Sequence, residues 1–393
     1  MSNSDLIQQF QLIFNTNAMP RMFFAPGRIN LIGEHTDYNG GHVLPASISF
    51  GTYALTQPRD DERVSFYSLN FPQTGIIECE LSDLTYNPLH DWANYPKGMI
   101  KYMRESGMDI KTGMNILFFG TIPNGAGLSS SASIEMVTGV LLEGSYNLAI
   151  NRRQMILLGQ KVENEYIGVN SGIMDQFAIG KGKKDHAILL NCQTLEYQYA
   201  PIQLEKYVIL IINTNKQRTL MNSQYNTRRA QCEQALTDLQ AFLPIQSLGE
   251  LTIEQFEQHK HFIKDEINLK RAKHAVYENE RTLKALHQLQ QGKLDAFGRL
   301  MNESHLSLQQ DYEVTGLELD TIVQAAWEQT GVIGARMTGA GFGGCAIAIV
   351  EKDMVESFME NVNKTYTKAV GYEASFYKAT IADGAREIMD GVV

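Results

Sequence analysis

Gly120-Thr-Ile-Pro-Asn-Gly-Ala-Gly-Leu-Ser-Ser-Ser-Ala-Ser133 follows an apolar run, Met114-Asn-Ile-Leu-Phe-Phe119, and leads into Ser131–Tyr146. In that last segment Val137, Val140 and Leu141 recur at helical spacing. A strand, a glycine turn and a helix opened by serines make a cradle for an anion. Gly125 and Gly127 permit close backbone approach and positive φ, which side chains would block. The serines stand where a helix leaves N–H groups unpaired and where its dipole is positive. The hydroxyls of Ser129, Ser130 and Ser131 can add donors or ligate a hard cation such as Mg²⁺. One serine would be an ordinary N-cap; three serines with two glycines after a strand favour phosphate. The pattern Gly-x-x-x-x-Gly-Lys-[Ser/Thr] is absent, so this is not a Walker A loop. His-Arg-Asp and Asp-Phe-Gly are absent as well, which excludes a protein kinase.

A second glycine cluster, Gly339-Ala-Gly-Phe-Gly-Gly344, matches Gly-x-Gly-x-x-Gly literally. A dinucleotide fingerprint must open a helix, whereas this one runs into Cys345-Ala-Ile-Ala-Ile-Val350, a strand. It reads instead as a loop closing against a ligand in the neighbouring domain, or as a plain hairpin turn.

Upstream, Gly27-Arg-Ile-Asn-Leu-Ile-Gly-Glu-His-Thr-Asp-Tyr38 follows Met22-Phe-Phe-Ala25, an apolar strand stopped by Pro26. Arg28, Glu34, His35, Asp37 and Tyr38 beside a core strand are costly unless they pair with each other or with a ligand. Their donors and acceptors suit a polyhydroxylated molecule, and a solvated hairpin is the alternative. Further on, Ser171-Gly-Ile-Met-Asp-Gln-Phe177 sets Asp175 among apolar neighbours, where it needs a partner such as an arginine. Glu163 and Glu165, near the end of the preceding helix, can reach a metal or belong to a solvated face. Tyr225, in Asn222-Ser-Gln-Tyr-Asn-Thr-Arg-Arg229, reads as a core tyrosine more readily than a sugar-stacking one.

Composition narrows the remaining classes. The chain has 393 residues, 44% hydrophobic and 20% charged, a length that suggests two domains. No run of eighteen apolar residues argues for a membrane span, and Met1–Asp5 does not open like a signal peptide. The four cysteines, Cys79, Cys192, Cys232 and Cys345, lack Cys-x-x-Cys spacing. That pattern suits a reducing cytoplasm rather than a zinc site or a disulfide framework. A formal net charge of −10 without a long basic block argues against nucleic acid as a partner.

Along the chain, residues 4–16 read as a helix packed outside a first sheet, and 22–80 as strand-rich. Helices are expected at 92–106, 131–146 and 152–167, with strands at 187–190 and 208–212. After about residue 215 the pattern turns helical, at 217–241, 253–258, 270–290, 293–309 and 316–329. A strand–loop–strand unit at 334–350, a helix at 353–368 and a strand at 374–379 follow. The change of texture divides the chain into 1–205 and 206–393, with a cleft between them as the ligand site.

Together these segments resemble the GHMP kinase superfamily and, within it, the galactokinase family. Ile122–Ser133 resembles the superfamily's ATP loop and Met337–Gly344 its third, glycine-rich motif. Gly27–Tyr38 resembles the galactokinase signature without departure. The resemblance implies an α/β and α+β two-domain fold: a ribosomal-protein-S5-like N-terminal domain and a ferredoxin-like C-terminal domain. It implies transfer of the γ-phosphate of MgATP to the anomeric hydroxyl of α-D-galactose, with Asp175 as base and Arg28 stabilising charge beside it. Glu34, His35, Thr36, Asp37, Gly172 and Tyr225 would hold the sugar. Gly125, Ala126, Gly127, Leu128, Ser129, Ser130 and Ser131 would wrap the triphosphate, Ser68 would touch the nucleotide, and Ser131 and Glu163 would ligate Mg²⁺. The partners implied are D-galactose and ATP, with no nucleic acid, membrane or obligate protein. A non-catalytic sugar sensor and a sister kinase acting on N-acetylgalactosamine are the alternatives.

Overall fold

The structure, a computed structural model, describes residues 1–123, 125–216 and 221–388. Its first sheet is built around the strand Arg21–Asn30, buried at every position after Arg21. Successive side chains on a strand face opposite ways, and here both faces are covered. Phe23 and Ala25 pack with Met99 and Met103 of the helix Asn94–Glu105 and with Val137 and Leu141 of the helix Ser130–Tyr146. On the other face Met22 joins Leu55 and Leu117 beneath Leu6 and Phe10 of the helix Asn3–Ile13. The six strands run in the order Arg386–Ile388, Arg21–Asn30, Pro45–Pro58, Met114–Gly120, Arg63–Ser68 and Ile77–Glu80. Only the pairing of Met114–Gly120 with Arg63–Ser68 is parallel. A three-stranded sheet of His42–Val43, His186–Asn191 and Tyr197–Pro201 lies alongside.

The second half is built on an antiparallel sheet ordered Val332–Thr338, Cys345–Glu351, Tyr207–Asn213, Ser375–Ala379. One face, with Leu210, Ile212, Ala346 and Ala348, packs against Leu319, Ile322 and Phe358 from the helices. The other face, with Ile209, Ile211, Ile347 and Ile349, packs against Ile29, Leu31, Ile32, Ile122 and Leu128 of the first half. This shared apolar core matters for the site, because it fixes the loop after residue 30 and the serine loop onto one block. The expected α/β and α+β halves are both present.

Three features depart from the sequence reading. The first strand does not stop at Pro26: it continues to Asn30, with a register shift between Pro26 and Arg28. A proline, which cannot donate to the ladder, is tolerated at such an irregularity. The helix expected over 152–167 is α-helical only over Arg152–Lys161 and then becomes a π-turn, Val162–Ile167, that carries Glu163. The helix expected over 217–241, by contrast, is present as Met221–Gln240, and residues 217–220 lie outside the described residues. Finally, Arg386–Ile388 returns to pair with Met22–Phe24, a crossing that a division at 205/206 does not contain. Among the described residues no helix is long and apolar enough to cross a membrane.

Candidate active site

The register shift delivers Arg28 to the centre of the site. Its Nε and Nη2 donate to Asp175 Oδ1 and Oδ2, each at 2.8 Å, a two-armed match that a planar guanidinium makes to a carboxylate. Its Nη1 donates to the carbonyl of Gly127 at 2.9 Å, and its backbone N–H to the carbonyl of Leu128 at 3.2 Å. The chain approaches the serine loop so closely that a Cβ on Gly27 would lie 2.6 Å from Leu128 O. Asp175 stands in the first turn of the helix Met174–Lys181 and also accepts the Ser129 hydroxyl. The Arg28 side chain is 5% exposed and that of Asp175 30%, so the carboxylate keeps an open face.

That face opens on a cavity of about 490 Å³, within the range of small-ligand sites. Glu34, His35, Asp37, Gly172 and Tyr225 line it together with Gly125, Gly127, Ser129, Ser130, Ser131 and Glu163. Arg28 and Asp175 line it as well, as do Gly339 and Ala340 from the second glycine cluster. Segments far apart in sequence thus converge on one chamber. Two of its residues hold left-handed backbone without being glycine, His35 at φ 62° and Ser129 at φ 62°, a strain that collects at functional sites.

Not every expected residue faces the chamber. The Thr36 hydroxyl lies 2.8 Å from Gly33 O and 2.6 Å from His42 O, where it closes the turn. Ser68 is buried outside the lining and accepts the Asn70 N–H at 3.2 Å. Ala126 and Leu128 are packed into the core shared by the two halves, and Leu128 contributes its carbonyl. Gly172 serves by its lack of a side chain: a Cβ there would fall 1.8 Å from Asp37 Oδ2.

Burial dominates the electrostatics. It pushes Asp37 up to about 7, with Asp175 adding to the effect, and Glu163 up to about 7 against a hydrogen bond from Ser131. His35 is driven down to about 3 by burial and then by His274, so it is a neutral ring. Behind the lining, Glu135 is fully buried, accepts the Gln176 amide at 3.0 Å and is raised well above the usual carboxylate range. Arg28 is, among the described residues, the one arginine or lysine in the lining, which also holds four carboxylates, Glu34, Asp37, Glu163 and Asp175. Among the described residues no three of His, Cys, Asp and Glu gather to hold a metal by themselves. The hydrogen-bonded pair Ser131 and Glu163 offers hard oxygen donors, a set that suits a cation shared with phosphate oxygens and water.

A two-half fold with a serine-opened helix and a glycine loop on one cavity defines a GHMP kinase. In agreement, residues 94–183 match the GHMP kinases N terminal domain and residues 284–368 the GHMP kinases C terminal. Residues 8–58 match the galactokinase galactose-binding signature. A galactokinase of Exiguobacterium sibiricum is 58% identical over 393 residues, all of both chains. The crystal structure of Lactococcus lactis galactokinase complexed with galactose superposes with a TM-score of 0.96 at 51% identity, covering 98% of this chain and 99% of that one. Mevalonate kinase of Methanococcus jannaschii shares the fold alone, with a TM-score of 0.69 at 18% identity over 93% of this chain and 100% of that one. The chain belongs to the galactokinase family.

Tyr95, Ser171 and Arg336 are among the residues that the sequence did not single out. Tyr95 and Ser171 line the cavity, but Tyr95 sits in a segment read only for its helical period and Ser171 in a loop read for its carboxylate. Arg336 carried a usable signal: an arginine in Ala335-Arg-Met337, on a strand buried from Gly334 onward, must have a buried partner.

Proposed function

We infer that this chain is a galactokinase, transferring the γ-phosphoryl group of ATP to the anomeric hydroxyl of D-galactose to give α-D-galactose 1-phosphate and ADP. The observation that carries this reading is the Arg28–Asp175 pair on the wall of a cavity shared by the galactokinase signature and the serine loop. A carboxylate paired with a two-armed arginine and left open on one side is placed to take a proton from a hydroxyl. Phosphoryl transfer otherwise asks mainly for alignment and charge neutralisation. Arg28 supplies one positive charge, and the N-terminus of the helix Ser130–Tyr146 presents unpaired N–H groups with Ser129 and Ser130. Glu34, His35 and Asp37 would accept and donate to sugar hydroxyls, and Asp37 is our candidate for the axial 4-hydroxyl. Buried polar groups satisfied only by that hydroxyl would discriminate strongly against glucose. Ser131 and Glu163 would hold Mg²⁺, which supplies further neutralisation of the phosphates. None of the four cysteines is in a disulfide, which fits the reducing cytoplasm, where we place the enzyme.

The test is ADP release over galactose, glucose, N-acetylgalactosamine, mevalonate and homoserine. Galactose should be strongly preferred. Preference for any other would overturn the substrate, and saturable galactose binding without turnover would make the chain a sensor.

Asp37 predicts a pH dependence. Its neighbours in the wall are Asp175 and Glu34, which raise it beyond what burial does, and Arg28, which opposes them. A raised acid is ionised only above its own pKa, here about 7. Galactose KM should therefore be flat above about pH 8 and rise below about pH 7, approaching tenfold per unit. An Asp37→Asn variant should lose that rise. A KM that falls on acidification would remove the ionised carboxylate from the sugar contact.

A further inference from the structure

Arg336 lies fully buried on the strand Val332–Thr338, between two glutamates that are also buried, Glu34 and Glu278. Its Nη1 donates to Asn30 O at 3.0 Å and reaches Glu34 Oε1 at 3.4 Å, and its Nη2 is 3.9 Å from Glu278 Oε1. Glu278, on the helix Glu266–Gln290, accepts the Gly33 N–H at 3.0 Å and the Ser304 hydroxyl, and it pairs with Arg281. Among the described residues Arg336 Nε and Nη2 have no hydrogen-bond partner. A buried charge cluster with unspent donors is poor design for stability alone, since apolar replacements of such clusters are often neutral or stabilising. Its location points elsewhere: Glu34 lines the cavity, and Arg336 and Glu278 do not.

The hydrogen-bond inventory of Glu34 shows what the cluster achieves. A carboxylate offers about four acceptor positions. Oε1 takes the Gly339 N–H at 2.7 Å and Arg336; Oε2 takes the Asn30 side-chain amide at 2.5 Å. One position is left, on Oε2. The donors come from both halves of the chain, and Gly339 opens the glycine loop that shares the cavity.

We propose that Arg336 and Asn30 are positioning residues that clamp Glu34 from its two oxygens, leaving a single acceptor for one sugar hydroxyl. Glu278 anchors the clamp by holding Arg336 and the Gly33 backbone. This rests on the reading of Glu34 as a sugar-binding residue.

The test is a double-mutant cycle read by calorimetric galactose binding and by steady-state kinetics. It uses Arg336→Met, Glu34→Gln and the double variant, with Arg336→Lys beside them. Arg336→Met should weaken galactose binding about tenfold or more while ATP affinity stays within about twofold, and Arg336→Lys should recover part of the loss. In the Glu34→Gln background the same substitution should add less than about twofold. An equal loss in both backgrounds, or an equal loss of ATP affinity, would show a structural role and overturn the proposal. Should Arg336→Met fail to fold, the same cycle on Asn30→Ala decides, with the same two outcomes. Wild type that binds no galactose would overturn the functional reading, and the clamp with it; wild type that binds normally, with an indifferent Arg336→Met, overturns the clamp alone.

Discussion

Asp175→Asn should lower kcat by about 10²-fold or more, with galactose and ATP dissociation constants changed only slightly. The proposed role of Asp175 is to take a proton, and an amide cannot. The same substitution also disturbs Arg28, whose Nε and Nη2 now meet Asp175 Oδ1 and Oδ2 at 2.8 Å each. An amide presents one oxygen and one NH₂, so one arm of the fork would face a donor. Arg28 would keep its Gly127 contact at 2.9 Å, and this contact is why the nucleotide loop should stay in place. The Asp175 side chain is 30% exposed but that of Arg28 only 5%, so the variant leaves a buried guanidinium short of its counter-charge and should also lose some stability. Single-turnover kinetics with bound substrates separates the effects. A large kcat loss with intact binding supports the base role. Turnover near wild type would take the proton-transfer role from Asp175, and a loss confined to KM would make it a binding residue.

What the sequence made legible was local. The serine loop and the signature are each contiguous, so the geometry they impose follows from a few adjacent residues and their turns. The pairing of Arg28 with Asp175 joins positions 147 residues apart; composition could say only that Asp175 needed a cation, and the resemblance supplied which one. Thr36 shows a different limit. The resemblance set it among the sugar-holding residues, and its hydroxyl lies in the turn, 2.8 Å from Gly33 O and 2.6 Å from His42 O. Local motif membership does not reveal the direction of a side chain. Pro26 misled because a strand ending and a strand irregularity leave the same mark in sequence, and only the partner strand distinguishes them. The return of Arg386–Ile388 to the first sheet is a long-range pairing of a three-residue strand, too short to carry a period.

Gly172→Ala should raise galactose KM about 10- to 100-fold, the scale of a lost hydrogen bond to a charged group, while leaving ATP affinity near wild type. Glycine is needed here for space rather than for its backbone freedom, because Gly172 is absent from the positive-φ positions. The added methyl would lie 1.8 Å from Asp37 Oδ2 and 2.4 Å from its Cγ, far inside any tolerable contact. Something must move, and the short Asp37 side chain lies nearest. Turning it away takes the carboxylate from the position at which it would meet the sugar. The contact to Asp37 Cβ is 3.1 Å, tight but close to what packing absorbs, so truncating Asp37 should relieve most of the conflict. The decisive comparison is therefore made in an Asp37→Ala background. There Gly172→Ala should change galactose KM by less than about twofold, since the group it displaces is already gone. An equal penalty in both backgrounds would mean that the alanine moves the loop before Asp175 instead. In that case kcat, and not KM, should carry the loss, because the carboxylate paired with Arg28 would move with it.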